Sequence, residues 1–248
     1  MQLAIYENAE KLAQATAAKI IDLVISKPNA VLCLAGGETP RLTYQQLSAE
    51  AKKRNTDFSG VQWVGLDEWV GVPPSNAGSC YYFLQQHLFT PLSVQPGNIH
   101  FFDAMATDLA AECKKINTVI DQYGALDLIL VGIGMNGHIG FNEPGVDAAL
   151  AAHTIELDEQ TRQVGQKYFA QHTPLQKGIS LGISQFMQAR MAILIAAGTG
   201  KAAIIKKAVE DPVSNWLPAS YVQEHANAWV LLDAAAAGAL HQGTQKEK

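Results

Sequence analysis

Residues 126–138 read Leu126-Asp127-Leu128-Ile129-Leu130-Val131-Gly132-Ile133-Gly134-Met135-Asn136-Gly137-His138, an apolar run that breaks into glycines. A short run that is apolar without alternation suits a strand buried on both faces of a parallel sheet. Similar runs rich in Val, Ile and Leu lie near 30–35, 61–66, 98–102, 178–182, 191–197 and 227–233. Between them stand longer amphipathic stretches, which predict helices over 8–26, 40–53, 79–90, 105–123, 184–190, 200–210 and 217–225. Strand and helix in alternation predict an α/β fold with a doubly wound, mostly parallel sheet, Rossmann-like and layered αβα. The alanine run 234–237 reads as a terminal helix, and the polar end Gly243 to Lys248 is expected to fray.

Two helix starts have a local chemistry. Thr39 can cap a helix opened by Pro40, and Ser79 can cap the one after the Pro73-Pro74 turn. In open α/β sheets ligands bind outside the carboxyl ends of the strands. Three motifs fall at such ends.

The first is Leu34-Ala35-Gly36-Gly37-Glu38-Thr39-Pro40. Paired glycines before a helix let the backbone approach a ligand, and the free N–H groups attract phosphate. A tight turn without a ligand accounts for it equally well on its own, and Glu38 weighs on that side. The second is Asp67-Glu68, after the run Val61 to Leu66. A half-shielded carboxylate there has its pKa raised towards the range of a useful base, although most Asp-Glu pairs merely close a strand in solvent.

The third motif is the longest, Gly132-Ile133-Gly134-Met135-Asn136-Gly137-His138-Ile139-Gly140-Phe141-Asn142-Glu143-Pro144-Gly145. It contains a formal G-x-G-x-x-G, but glycines and Pro144 follow where a dinucleotide fingerprint needs a helix. What it offers is a bent loop presenting His138 with Glu143, an acid/base pair for proton transfer near neutral pH. A fourth segment, Gly198-Thr199-Gly200-Lys201, lacks the first glycine and the final Ser/Thr of a nucleotide P-loop. Lys201 could still clamp a monophosphate as a point charge, as readily as it could sit in solvent.

Composition narrows the class. The chain has 248 residues, 48% hydrophobic and 17% charged, with a net charge of -5. That suits one compact domain with a sizeable core and gives no basic footprint for nucleic acid. Cys33, Cys80 and Cys113 form neither a disulfide framework nor a zinc pattern, so a reducing, cytoplasmic setting is expected. Nowhere do eighteen apolar residues run together, and membrane spanning is not expected.

These residues resemble the glucosamine-6-phosphate deaminase and 6-phosphogluconolactonase superfamily from about residue 10 to 235. Leu66-Asp67-Glu68-Trp69-Val70-Gly71 and Gly137 to Gly145 look like the deaminase branch, while the Thr-Ala-Ser-Leu-Phe-Pro that usually follows the lactonase histidine is absent. Ser26-Lys27-Pro28 and Tyr82 to Leu92 look closest to galactosamine-6-phosphate isomerases. The resemblance implies a single domain over 1–248 with a helical lid at roughly 152–178. It also implies conversion of glucosamine or galactosamine 6-phosphate to the ketose 6-phosphate and ammonia, without metal or organic cofactor.

By the same resemblance Asp67 is the base that moves a proton from sugar C2 to C1, and His138 opens the ring with help from Glu143. Asn136 stands where other deaminases carry Asp or Asn. Gly36, Gly37 and Thr39 match the phosphate loop, Lys201 the phosphate lysine, and Lys167 an arginine on the lid of some relatives. Gly36 replaces a threonine and Glu38 a small residue of that loop. The expected partner is a small sugar phosphate, with homo-oligomerisation left open. Lactone hydrolysis on the same fold, a sugar-phosphate sensor without efficient chemistry and a dinucleotide-dependent oxidoreductase are the rival readings.

Overall fold

The computed structural model describes residues 1–241 and 243–244. Seven strands form a parallel sheet: β1 (Gln2–Tyr6), β2 (Val31–Leu34), β3 (Gln62–Val64), β5 (Ile99–His100), β6 (Leu128–Val131), β9 (Ala192–Ala196) and β10 (Ala228–Asp233). A separate antiparallel sheet joins β4 (Asp67–Trp69), β8 (Lys177–Ser180) and β7 (His153–Glu156) in the order β4-β8-β7. The helices are α1 (Ala9–Ser26), α2 (Glu38–Arg54), α3 (Cys80–Leu84), α4 (Leu109–Tyr123), α5 (Glu159–Gly165), α6 (Ile183–Gln188) and α7 (Ala202–Glu210).

Every residue of β2, β6 and β9 is buried because helices cover both faces of the sheet. Leu32, Leu34, Leu128, Leu130, Ile193 and Ile195 face one core with α1 and α2, whose contribution includes Ile20, Ile21 and Leu47. Their neighbours Cys33, Ile129, Val131 and Leu194 face the opposite core, with Ile116 of α4, Phe186 of α6 and Ile205 of α7. The three layers of the predicted fold follow from this alternation.

The sheet order is β1-β10-β9-β6-β2-β3-β5. From β2 the chain steps outward to β3 and β5, then returns to place β6 on the other side of β2. The topological switch therefore lies between β2 and β6. The loops leaving those two strands, at Ala35 and Gly132, flank the crevice where such folds take ligands.

Several expectations need correction. The run 178–182 does not join the parallel sheet; β8 pairs antiparallel with β4 and β7. The segment 152–178 carries α5 and a 3-10 turn, Gln166–Tyr168, between strands β7 and β8 and is not wholly helical. Helix 217–225 is a 3-10 stretch, Pro218–Gln223. Residues 234–237 make turns, because the Asp233 carboxylate accepts from Ala236 N and from Gly198 N and so holds the chain against β9. Strands β1, β4 and β7 were not expected. Thr39 does not cap α2: the helix begins at Glu38 behind Gly37, whose φ of +114 favours glycine. Ser79 does cap α3, accepting from Tyr82 N at 3.2 Å. Of the polar end 243–248, residues 245–248 lie outside the described residues.

Candidate active site

Asp67 opens β4, three residues beyond the end of β3. Successive residues of a strand point to opposite sides, so Asp67 and Glu68 part company. Glu68 turns towards α3, where its carboxylate accepts from Ser79 Oγ at 2.6 Å and from the backbone N–H groups of Trp69, Cys80 and Tyr81 at 2.9–3.0 Å. Asp67 lines the cavity beside Cys80, whose thiol donates to it. Burial, then the charge of Glu68, push the Asp67 carboxyl up to about 7, against the opposing pull of the Cys80 hydrogen bond and of His138.

The loop after β6 carries His138 over the backbone of Gly134. A Cβ at Gly134 would stand 2.4 Å from His138 Nε2, so the ring's position depends on that glycine. His138 Nδ1 lies 3.0 Å from Thr161 Oγ on α5 and 3.3 Å from Glu143 Oε2. Glu143 is buried behind the imidazole, and also accepts from Asn136 Nδ2 at 2.8 Å and from Asp158 N at 3.3 Å. Burial raises the Glu143 carboxyl, but the hydrogen bond and charge of His138, with donors from Thr161 and Asn136, outweigh it and hold the pKa below its usual value. An ionised Glu143 at Nδ1 favours the tautomer with its proton there, which leaves Nε2 free to accept. Asn136 completes the turn by accepting from His138 N at 3.2 Å.

The cavity lining also includes cations. Gly36, Gly37 and Thr39 line it at the start of α2, together with Lys167 and Lys201. Lys201 follows β9 and donates to the Ile133 carbonyl at 2.6 Å. Burial and then the charge of Lys167 lower its pKa. Lys167 lies 4.9 Å from the ring centre of Tyr168, and neither lysine pairs with a carboxylate among the described residues. Two ammonium groups that repel each other beside a helix N-terminus form a seat for an anion. Glu38 does not oppose it openly, because Arg41 Nη2 donates to its Oε1 at 2.7 Å. The whole cavity measures about 380 Å³.

The sequence and fold have known counterparts. A model of the family described as glucosamine-6-phosphate isomerases/6-phosphogluconolactonase matches residues 6–231. The chain belongs to this family. It is 37% identical over 234 residues to a glucosamine-6-phosphate deaminase of Geobacillus sp. (strain WCH70), covering 94% of this chain and 93% of that protein. It is likewise 37% identical to a glucosamine-6-phosphate deaminase of Halothermothrix orenii (strain H 168 / OCM 544 / DSM 9562), covering 97% and 100%. A solved monomeric glucosamine-6-phosphate deaminase superposes with a TM-score of 0.93 at 34% identity, covering 96% of this chain and all of that one. The 6-phosphogluconolactonase of Trypanosoma brucei shares the fold, with a TM-score of 0.76 at 20% identity over 97% of this chain and 98% of that one.

In this member of the glucosamine-6-phosphate isomerase/6-phosphogluconolactonase family, all the residues singled out from the sequence come together. Asp67, Asn136, His138, Gly36, Gly37, Thr39, Lys167 and Lys201 line one cavity, and Glu143 backs its histidine. Sequence reasoning missed Thr161, Cys80, Tyr168 and Arg41. Thr161 and Tyr168 reach the cavity only through the docking of the small sheet, and no motif marks them. Cys80 and Arg41 had a usable signal: each lies within a few residues of an expected cap or phosphate loop.

Proposed function

We propose that the protein is an amino-sugar-6-phosphate isomerase and deaminase, taking glucosamine 6-phosphate and water to the ketose 6-phosphate and ammonia. The observation that carries the reading is the sharing of one cavity by Asp67, with its pKa near 7, and the His138–Glu143 pair, opposite an anion seat. The named relatives support glucosamine 6-phosphate as the substrate.

The hard step is removal of a weakly acidic C2 proton, which becomes feasible only beside a C1 carbonyl. The ring must open first. His138 Nε2 accepts the anomeric hydroxyl proton and delivers a proton to the ring oxygen, while Glu143 and Thr161 fix the ring through Nδ1. Asp67 then takes the C2 proton, forming an enolamine, and returns it to C1. The resulting C2 imine adds water and expels ammonia, leaving the ketone. A base with a pKa near the working pH is ionised often enough to accept and acidic enough to give back. Each acid/base step contributes about 10²–10⁴ in rate, and the phosphate seat supplies positioning.

Ammonia release from purified protein given glucosamine 6-phosphate and, separately, galactosamine 6-phosphate tests the reading. Release from the first is expected. Release from the second alone would move the substrate to the C4 epimer, and release from neither would overturn the assignment. Asp67→Asn should lower kcat by about 10³-fold or more while the sugar phosphate still binds. Near-wild-type turnover in that variant would remove Asp67 from the role of base.

A further inference from the structure

Glu38 sits in the first turn of α2, where a carboxylate competes with a bound anion for the same helix field. One turn on, Arg41 takes hold of it. The guanidinium lies over the Phe83 ring, 5.5 Å from its centre, and lines the cavity with His87 and Tyr168. It is electrostatically felt by both: after burial, its charge lowers the His87 pKa, and it opposes the rise of the Tyr168 hydroxyl. The Tyr168 hydroxyl stands 3.6 Å from where a Cβ of Gly37 would be, and Arg41, Tyr168 and Gly37 line the same cavity.

Arg41 is under-used by the protein. Glu38 engages one nitrogen, Nη2, and the buried Nε has no partner. The side chain remains two-fifths exposed and is part of the cavity lining. Beside the Phe83 ring, the guanidinium keeps donors on its two terminal nitrogens that can make bidentate bonds to an oxyanion. We propose that Arg41 is a third phosphate-binding cation, with Glu38 as its resident counter-ion while the seat is empty.

The proposal rests on the assignment of the sugar phosphate to the start of α2. On that basis the phosphate shares Arg41 with Glu38, or takes its place on Nη2. The Glu38–Arg41 pair then explains how a carboxylate can stand in a phosphate loop. The rival explanation is that Arg41 only neutralises Glu38 and never meets the substrate.

Steady-state kinetics with glucosamine 6-phosphate separate the two, using Arg41→Met, the double variant Glu38→Gly/Arg41→Met, and Lys201→Ala as a marker of the seat. Loss of a charge-assisted contact should raise KM about 10- to 100-fold in Arg41→Met, with kcat within about threefold. The double variant should stay at least about tenfold above the wild-type KM, and inorganic phosphate should compete more weakly in both. Return of the double variant to the wild-type KM, or an unchanged KM in Arg41→Met while Lys201→Ala raises it, would overturn the proposal alone. An unchanged KM in all three variants would remove the phosphate from this end of the cavity altogether.

Discussion

Burial favours a neutral Asp67, whereas the proposed role as base needs its carboxylate, and a pKa pushed up to about 7 sets where the two trade places. As the proposed base it works only when ionised, so kcat/KM should rise with pH through about 7 and level off above. A pH–rate profile with its acid limb well below 6 would contradict this role. The stability effect has the opposite sign. The folded-state pKa lies above the ordinary value of 3.8, so Asp67 stabilises the fold fully below about pH 4, and that contribution is lost as pH rises through about 7. Asp67→Asn should therefore melt a few degrees higher than wild type at pH 8, with the difference narrowing towards pH 5. His138 depends on a different kind of residue. Gly134→Ala would force the imidazole aside, and a displacement of about 1 Å lowers kcat by about 10²-fold, with little change in KM.

Among the elements, the start of α3 is tied to β4 through the Glu68 side chain. Replacing Glu68 by Ala would strip acceptors from three backbone N–H groups and the Ser79 hydroxyl. Leaving such groups unpaired costs about 2 kcal/mol or more, and calorimetry should record a Tm lower by about 4–8 °C. The elements also show what the sequence can and cannot disclose. Strands β2, β6 and β9 are legible because burial on both faces demands unbroken apolar residues. Strand β4 reads Asp-Glu-Trp and is a strand only because β8 pairs with it from far along the chain. Strand β7, His-Thr-Ile-Glu, alternates between half-buried and exposed positions over too short a span to declare itself. The same division runs through the site. Asp67, His138 and the glycine loops lie at strand ends that the pattern locates, whereas Thr161 meets His138 only after α5 has docked.

At the scale of the molecule, two large cores flank the parallel sheet; the small sheet joins one of them through Ile179 of β8, while its other contacts rest on a cluster of only five buried side chains, Trp69, Val72, Phe141, Leu157 and Leu175. Fewer buried contacts mean a lower free energy of local opening. Amide hydrogen exchange should therefore be faster across 153–169 than in β2, β6 and β9, and should slow when a sugar phosphate is added. Equal protection of the two sheets would argue against a separately opening segment. The parallel sheet has a property of its own. Strand β1 pairs with β10 alone, Gln2 opposite Trp229 and Tyr6 opposite Asp233. On the ribosome β1 is made long before β10 and has no neighbour in the sheet until β10 follows. In that interval the nascent chain carries an unmatched ribbon, Gln2 to Tyr6, that any passing strand edge could capture.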